Sequence, residues 1–282
     1  MIFEAVVDWI EVGNQASRSG LDLRQISART GINPAHDQRM NRQSSSGTIG
    51  ILKMGSIQPA FRARHGDFVD WIKQRMPEEV SKASQVFDPE AGVLPAPAGL
   101  AGLIITGSDS MVTNPSSGDL AAFRWLEGVL NADVPVLGLC YGHQMLGHVL
   151  GGDVGPLPGG PEIGVADIAF TAGDDPLFAP CGSRQRVAVI HWQTVLRLPA
   201  GAQVLARGTR EPCQAVRFMP RVWGVQFHPE FSPDVWADMA AECHAPLREA
   251  GLDPAKVVAE ARQWREQTGV IGRFAEFAAR GP

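Results

Sequence analysis

Short unbroken apolar runs alternate with segments of helical periodicity between Thr48 and Leu150, and this alternation limits the fold more than any other feature of the chain. Residues 48–54, 100–106 and 134–139 are apolar at consecutive positions rather than at every second one. A strand of that kind is buried on both faces. Residues 61–76, 119–130 and 142–150 read as helices, the last closed by Gly151-Gly152. Parallel strands need long crossovers, and helices supply them. The predicted architecture is therefore α/β, a three-layer α/β/α sandwich around a mostly parallel central sheet.

The second half changes style. Residues 163–170, 186–190, 202–208, 213–218 and 222–227 read as short strands separated by Gly and Pro. Two or three of them are expected to pair antiparallel beside the parallel set. Residues 233–279 are helical and amphipathic, with a break at 251–254, and are expected to pack on the core. The opening segment differs from both halves. After Gly20 it is rich in Arg, Gln and Ser, and it ends in Arg42-Gln43-Ser44-Ser45-Ser46-Gly47. One short amphipathic helix near residues 5–12 followed by a flexible linker fits this stretch, and Met40 offers an alternative start. The expected organisation is an N-terminal extension (1–47), a core (48–232) and C-terminal helices (233–282).

Charge and cysteine usage exclude several classes. The formal net charge is −5, which gives no footing for nucleic acid. The basic residues Arg62, Arg64, His65, Lys73 and Arg75 are interrupted by Asp67 and Asp70, the pattern of a solvated helix face. The four cysteines form no C-x-x-C pair, so a zinc ribbon is not expected and reduced thiols in the cytoplasm are. Glu4 and Asp8 break the first apolar run, so it is not a secretory signal, and no apolar stretch is long enough to span a bilayer. Neither a membrane nor a nucleic-acid partner is expected.

Chemistry concentrates at two places. Gly138-Leu139-Cys140-Tyr141-Gly142 follows an apolar run and opens a helix, the strand–turn–helix pattern of a nucleophile elbow with cysteine in place of serine. A sharp turn there strains the nucleophile, and small flanking residues clear the approach. The helix behind it points free N–H groups and a positive dipole end at the sulfur, which favours thiolate. The N–H of Tyr141 could then donate to an oxyanion. A buried structural cysteine between two packing glycines would spell the same five letters; the flanking strand and helix favour catalysis. Further on, residues 222–227 run into His228-Pro229-Glu230. Residues two apart in extended chain point to one side, so Glu230 can fix the His228 tautomer while the other ring nitrogen faces the thiol. Alone, such a pair would be an ordinary surface contact. His143 and His148 are five apart on the helix after Cys140, a spacing that suits helix-surface or core roles rather than a metal site.

Three strings, Ile104-Ile105-Thr106-Gly107-Ser108, residues 136–144 through Cys140 to Gln144, and residues 224–230 through His228 to Glu230, together resemble the class I glutamine amidotransferases. The nearest likeness is to the glutaminase domain of GMP synthase and its stand-alone relatives. The resemblance covers about residues 48–231 and implies a flavodoxin-like fold. It implies a Cys140–His228–Glu230 triad, an oxyanion hole from the backbone N–H groups of Ser108 and Tyr141, and substrate-binding positions at Gly107, Gln144 and His191. It implies hydrolysis of the side-chain amide of glutamine, or of a γ-glutamyl amide, through a thioester, with no cofactor or metal. Two departures stand out. The family's Ser-His-x-Asp loop is replaced by Ile190-His191-Trp192-Gln193, which lacks the Ser and Asp of its substrate contacts, and Gly107-Ser108-Asp109 stands where GMP synthases carry Gly-Gly-Pro. Three readings stay open. The first is a glutaminase that feeds ammonia to a separate synthase subunit, the second a stand-alone γ-glutamyl hydrolase that needs no partner, and the third a non-catalytic member of the fold, which the intact triad residues disfavour.

Overall fold

In the computed structural model, which describes residues 47–281 apart from Val93 and Ala172, the expected alternation becomes a layered α/β structure. The helix expected near residues 5–12, the linker and the alternative start at Met40 lie outside the described residues. The first half contributes strand β1 (Thr48–Leu52), helices α1 (Pro59–His65), α2 (Phe68–Arg75) and α3 (Glu78–Ala83), and strands β2 (Gln85–Phe87) and β3 (Leu100–Ile105). Helix α4 (Ser117–Asn131), strand β4 (Val136–Leu139) and helix α5 (Tyr141–Val149) follow. The second half supplies β5 (Asp153–Pro156), β6 (Glu162–Phe170), β7 (Arg184–His191), β8 (Gln193–Arg197), β9 (Gln203–Arg207), β10 (Ala215–Met219) and β11 (Val222–Val225). Helices α6 (Pro233–Glu242), α7 (His244–Glu249), α8 (Pro254–Gln263) and α9 (Val270–Ala279) form the tail.

Nine strands make one sheet in the order β2-β1-β3-β4-β11-β10-β9-β6-β7. The first five run parallel. From β11 onward every pairing is antiparallel. Four antiparallel strands thus extend the parallel set, more than the two or three expected, and β5 pairs with β8 in a separate small antiparallel sheet.

The consecutive apolar residues of the parallel strands divide between two cores. Ile49 and Ile51 of β1, Ile104 of β3, and Leu137 and Leu139 of β4 pack with Ile72 of α2 and with Val270, Ile271 and Phe274 of α9. The intervening Leu52, Leu103, Ile105 and Val136 pack with Phe123, Leu126 and Val129 of α4 and with Met145 and Leu146 of α5. Side chains alternate across a strand, so a sheet covered on both faces needs apolar residues at every position.

The single helix expected over residues 61–76 is two. Gly66 has φ of 81°, outside the helical region, and Asp67 then caps α2 in a reciprocal box with Asp70. The capping signal outweighed the apolar periodicity running through it. In the tail the expected break at 251–254 is present, with Gly251 at φ 74° and Asp253 capping α8, and α7 is set off from α6 at Cys243.

Candidate functional site

Strand β4 ends at Leu139, α5 begins at Tyr141, and Cys140 sits between them at φ 49° and ψ −100°. A β-carbon is disfavoured at positive φ, so the turn holds local strain that the surroundings must enforce. They do so through the Cys140 N–H, which donates to Val225 O at 2.8 Å, and its carbonyl, which accepts from Gln144 N at 3.1 Å. The flanking glycines are required by space. A β-carbon on Gly138 would lie 2.4 Å from the carbonyl of Gly142, and one on Gly142 would lie 2.7 Å from Ile105 O. Tyr141 is the first residue of the helix, where an N–H has no intrahelical acceptor. Its hydroxyl donates to Asp119 Oδ1 at 2.8 Å, and burial holds that hydroxyl protonated, well above the usual phenol range.

The chain leaving β11 carries His228 and Glu230 to the same place. The His228 N–H donates to Ala188 O of β7, and Nδ1 stands 2.7 Å from Glu230 Oε1. The other ring nitrogen, Nε2, is buried without a hydrogen-bond partner among the described residues, and Cys140 is close enough to the imidazole to favour its charged form. Phe231 stacks on the imidazole with ring centroids 4.3 Å apart and planes 4° from parallel. Trp236 and Trp71 pack on Phe231 in turn. Arg75, from the end of α2, donates to the backbone carbonyls of Glu230, at 3.3 Å, and of Phe231. Burial opposes charge on His228, but the Glu230 carboxylate and the nearby Cys140 side chain outweigh it and raise the pKa to about 10.

Gly107 and Ser108 follow β3. A β-carbon on Gly107 would lie 3.5 Å from Cε1 of His228, which places this turn against the imidazole. Thr106 fixes it, donating from Oγ1 to Gly107 O at 2.8 Å while accepting from Met54 N at 2.9 Å. Ser108 Oγ accepts from Ser110 N at 3.0 Å, and Gly55 backs closely onto Ser108.

Gln144 and His191 face inward. Gln144 Nε2 donates to Gln193 O at 2.8 Å and to Gln226 Oε1 at 3.0 Å. His191 places Nδ1 3.0 Å from Gln193 O and Nε2 3.0 Å from Glu162 Oε2, so both ring nitrogens are committed within the protein. The replaced loop segment gains a contact of its own, since Gln193 Nε2 donates to Thr113 Oγ1 at 2.6 Å and ties the turn after β3 to the start of β8.

Two participants went unnoticed in the sequence. Gln226 is fully buried, and its Nε2 lies 3.5 Å from Cys140 Sγ. Glu162 is buried against His191 and also accepts from Gln214 Nε2 at 3.0 Å. A polar residue among buried apolar ones is the signal both gave, but it does not say which partner satisfies it. His143 lies in the core against Phe218, where burial lowers its pKa to about 3, and His148 packs on Phe123. Among the described residues no cluster of three or more His, Cys, Asp or Glu is placed to hold a metal ion, and no helix is long and apolar enough to cross a membrane.

Residues 97–242 match the family model for glutamine amidotransferase class-I. The GMP synthase [glutamine-hydrolyzing] of Aeropyrum pernix is 41% identical over 134 residues, 46% of this chain and 24% of that protein. The enzyme of the same description from Pyrobaculum aerophilum is 33% identical over 166 residues, 58% of this chain and 31% of that protein. The chain thus spans about a quarter to a third of these curated relatives. Among solved structures, a glutamine amidotransferase from Thermotoga maritima superposes with a TM-score of 0.67 at 20% identity, covering 83% of this chain and 99% of that one. A glutamine amidotransferase from Methylobacillus flagellatus superposes at 0.61 with 22% identity, covering 84% and 94%. At those identities the likeness establishes the shared flavodoxin-like fold.

Proposed function

Because the chain belongs to the class-I glutamine amidotransferase family, we propose that Cys140, His228 and Glu230 form its triad and hydrolyse the side-chain amide of glutamine or a γ-glutamyl amide. The observation that carries this reading is the meeting of two separate segments. A cysteine strained at a helix N-terminus lies beside a histidine whose far nitrogen is 2.7 Å from a carboxylate. In the proposed reaction the thiolate adds to the amide carbon. The N–H groups of Tyr141 and Ser108 receive the oxyanion, each worth about 3–4 kcal/mol in comparable sites. His228 protonates the departing ammonia or amine, leaving a thioester on Cys140, and then activates water to release glutamate. Glu230 holds the ring tautomer and steadies the imidazolium.

The relatives that match are GMP synthases, and the matched region is a fraction of their length. That supports a reading in which ammonia passes to a synthase partner. The exchange of Ser-His-x-Asp for Ile190-His191-Trp192-Gln193 and the Thr113–Gln193 tie favour instead a γ-glutamyl hydrolase that works alone. Both readings share the same triad chemistry. The test is release of ammonia from glutamine and of amine from γ-glutamyl dipeptides by the purified protein, beside Cys140→Ala. Turnover that survives Cys140→Ala rejects the triad. Negligible activity alone that rises about a hundredfold with host extract, roughly 3 kcal/mol in barrier, rejects the stand-alone reading.

A further inference from the structure

We infer that Gln226 supplies a fixed hydrogen-bond donor to the Cys140 sulfur, with its amide oriented by Gln144, and so stabilises the thiolate used in attack. The inference rests on the proposed role of Cys140 as nucleophile. An amide has a donor end and an acceptor end, and only the donor end helps a thiolate. The sulfur has Gln226 Nε2 at 3.5 Å and the carbonyl oxygen of Ile190 at 3.8 Å. The carbonyl suits an S–H and opposes S⁻, whereas the amide N–H suits S⁻, because a hydrogen bond to an ionised acceptor is roughly twice as strong as a neutral one.

The orientation of the Gln226 amide is determined from its other end. Its Oε1 accepts from Gln144 Nε2 at 3.0 Å. Turned over, it would set NH₂ against NH₂. Gln144 cannot turn in compensation, because its Nε2 also donates to the Gln193 carbonyl at 2.8 Å, and a carbonyl only accepts. That carbonyl is held in turn by His191 Nδ1 at 3.0 Å, and His191 by Glu162 at 3.0 Å. A chain of contacts thus leads from a buried carboxylate through a backbone carbonyl to the nucleophile, and the carbonyl, which can only accept, sets the polarity of both glutamine amides. Gln226 and Gln144 are both buried, so water does not compete for the donor and the bond acts at low local dielectric.

The test reads the sulfur directly. The rate of Cys140 alkylation by iodoacetamide is measured against pH in the full chain, in Gln226→Met and in the near-isosteric Gln226→Glu, together with kcat and KM for glutamine. The neighbouring titratable groups, His228 with Glu230 after β11 and His191 with Glu162 on β7 and β6, remain in place in each variant. Gln226→Met is expected to move the midpoint of the alkylation profile up by about one pH unit, a roughly tenfold slower reaction below the midpoint. Its loss in turnover is expected in kcat, with KM within about twofold. Gln226→Glu, which keeps the shape and sets a carboxylate against the sulfur, is expected to shift further in the same direction; if Gln226→Met does not fold, Gln226→Leu, which also removes the donor without adding charge, supplies the deciding profile. Profiles that superpose on the wild type overturn the inference. Wild-type activity that persists in Cys140→Ala rejects the nucleophile itself. Activity lost in Cys140→Ala with unmoved Gln226 profiles rejects only the donor.

Discussion

Burial pushes the thiols of Cys181, Cys213 and Cys243 up, Cys213 to about 11 and Cys243 to about 12, and at Cys181 the nearby Arg273 offsets only part of the effect. Cys140 is buried too, but it sits at a helix N-terminus with His228 alongside. Iodoacetamide is therefore expected to modify Cys140 well before the other three in the native protein, as read by peptide mapping. Equal labelling of all four would contradict the proposed elbow chemistry. His228 makes a second prediction. Its pKa rises from 6.5 to about 10 on folding, so its charged form is stabilised in the folded state. That stability is fully present below pH 6.5, is lost progressively as pH rises toward 10, and is gone above it. Glu230→Gln removes a carboxylate that supports the charge. The melting temperature of this variant is expected to fall less steeply than that of the wild type between pH 6.5 and 10. Parallel curves for the two proteins would show that Glu230 does not hold the proton on His228.

At the scale of elements, the turn between β4 and α5 works because two glycines let the helix lie against the strands. The backbone of Gly142 meets Ile105 of β3, and Gly138 meets the first turn of α5. Gly142→Ala introduces a β-carbon 2.7 Å from a backbone oxygen, which no side-chain rotation relieves. A cost of about 1–3 kcal/mol is expected, the usual range for overpacking. Because the displaced helix carries the Tyr141 N–H, turnover is expected to fall more than stability does, measured as kcat beside thermal melting. A variant as active as wild type would mean that the elbow tolerates a shift of several tenths of an ångström. Helix α2 contributes differently. Its capping box sets its start, and Arg75 at its end holds the carbonyls of Glu230 and Phe231, so a local helix boundary reaches the histidine side of the site.

Across the whole molecule, both faces of the parallel sheet are covered by helices within the described residues, and β1 is paired on both sides. A chain starting at Met40 is therefore expected to melt within about 2 °C of the full chain, since about 1 kcal/mol moves a domain of this size by roughly 2–4 °C. A large fall would show that residues 1–39 contribute to stability. The opposite terminus is not dispensable. Val270, Ile271, Phe274, Ala275 and Ala278 of α9 are all buried, and a β-carbon on Gly102 of β3 would come within 2.7 Å of Ala278 Cβ. Phe274→Ala is expected to cost about 3–5 kcal/mol in denaturant unfolding, because the ring fills one core face. A cost under 1 kcal/mol would show that the face closes without it.

The amino-acid sequence by itself determined the layered α/β class, the positions of the parallel strands β1, β3 and β4 and the turn at Cys140, because these follow from periodicity, helix starts and glycine placement within a few residues of each other; it passed over the short parallel strand β2. It also brought His228 and Glu230 together, since two positions apart in extended chain is a local relation. It overlooked the break at Gly66-Asp67, where a cap competed with apolar spacing, and undercounted the antiparallel strands, whose partners are distant in the chain. What only the tertiary structure decided is where the buried polar side chains find each other. Gln226 meets Cys140 across 86 residues, Gln144 meets Gln226 across 82, and His191 meets Glu162 across 29. Burial favours a hydrogen-bond partner for a polar group but leaves the partner's identity to the packing of strands and helices that no local pattern encodes.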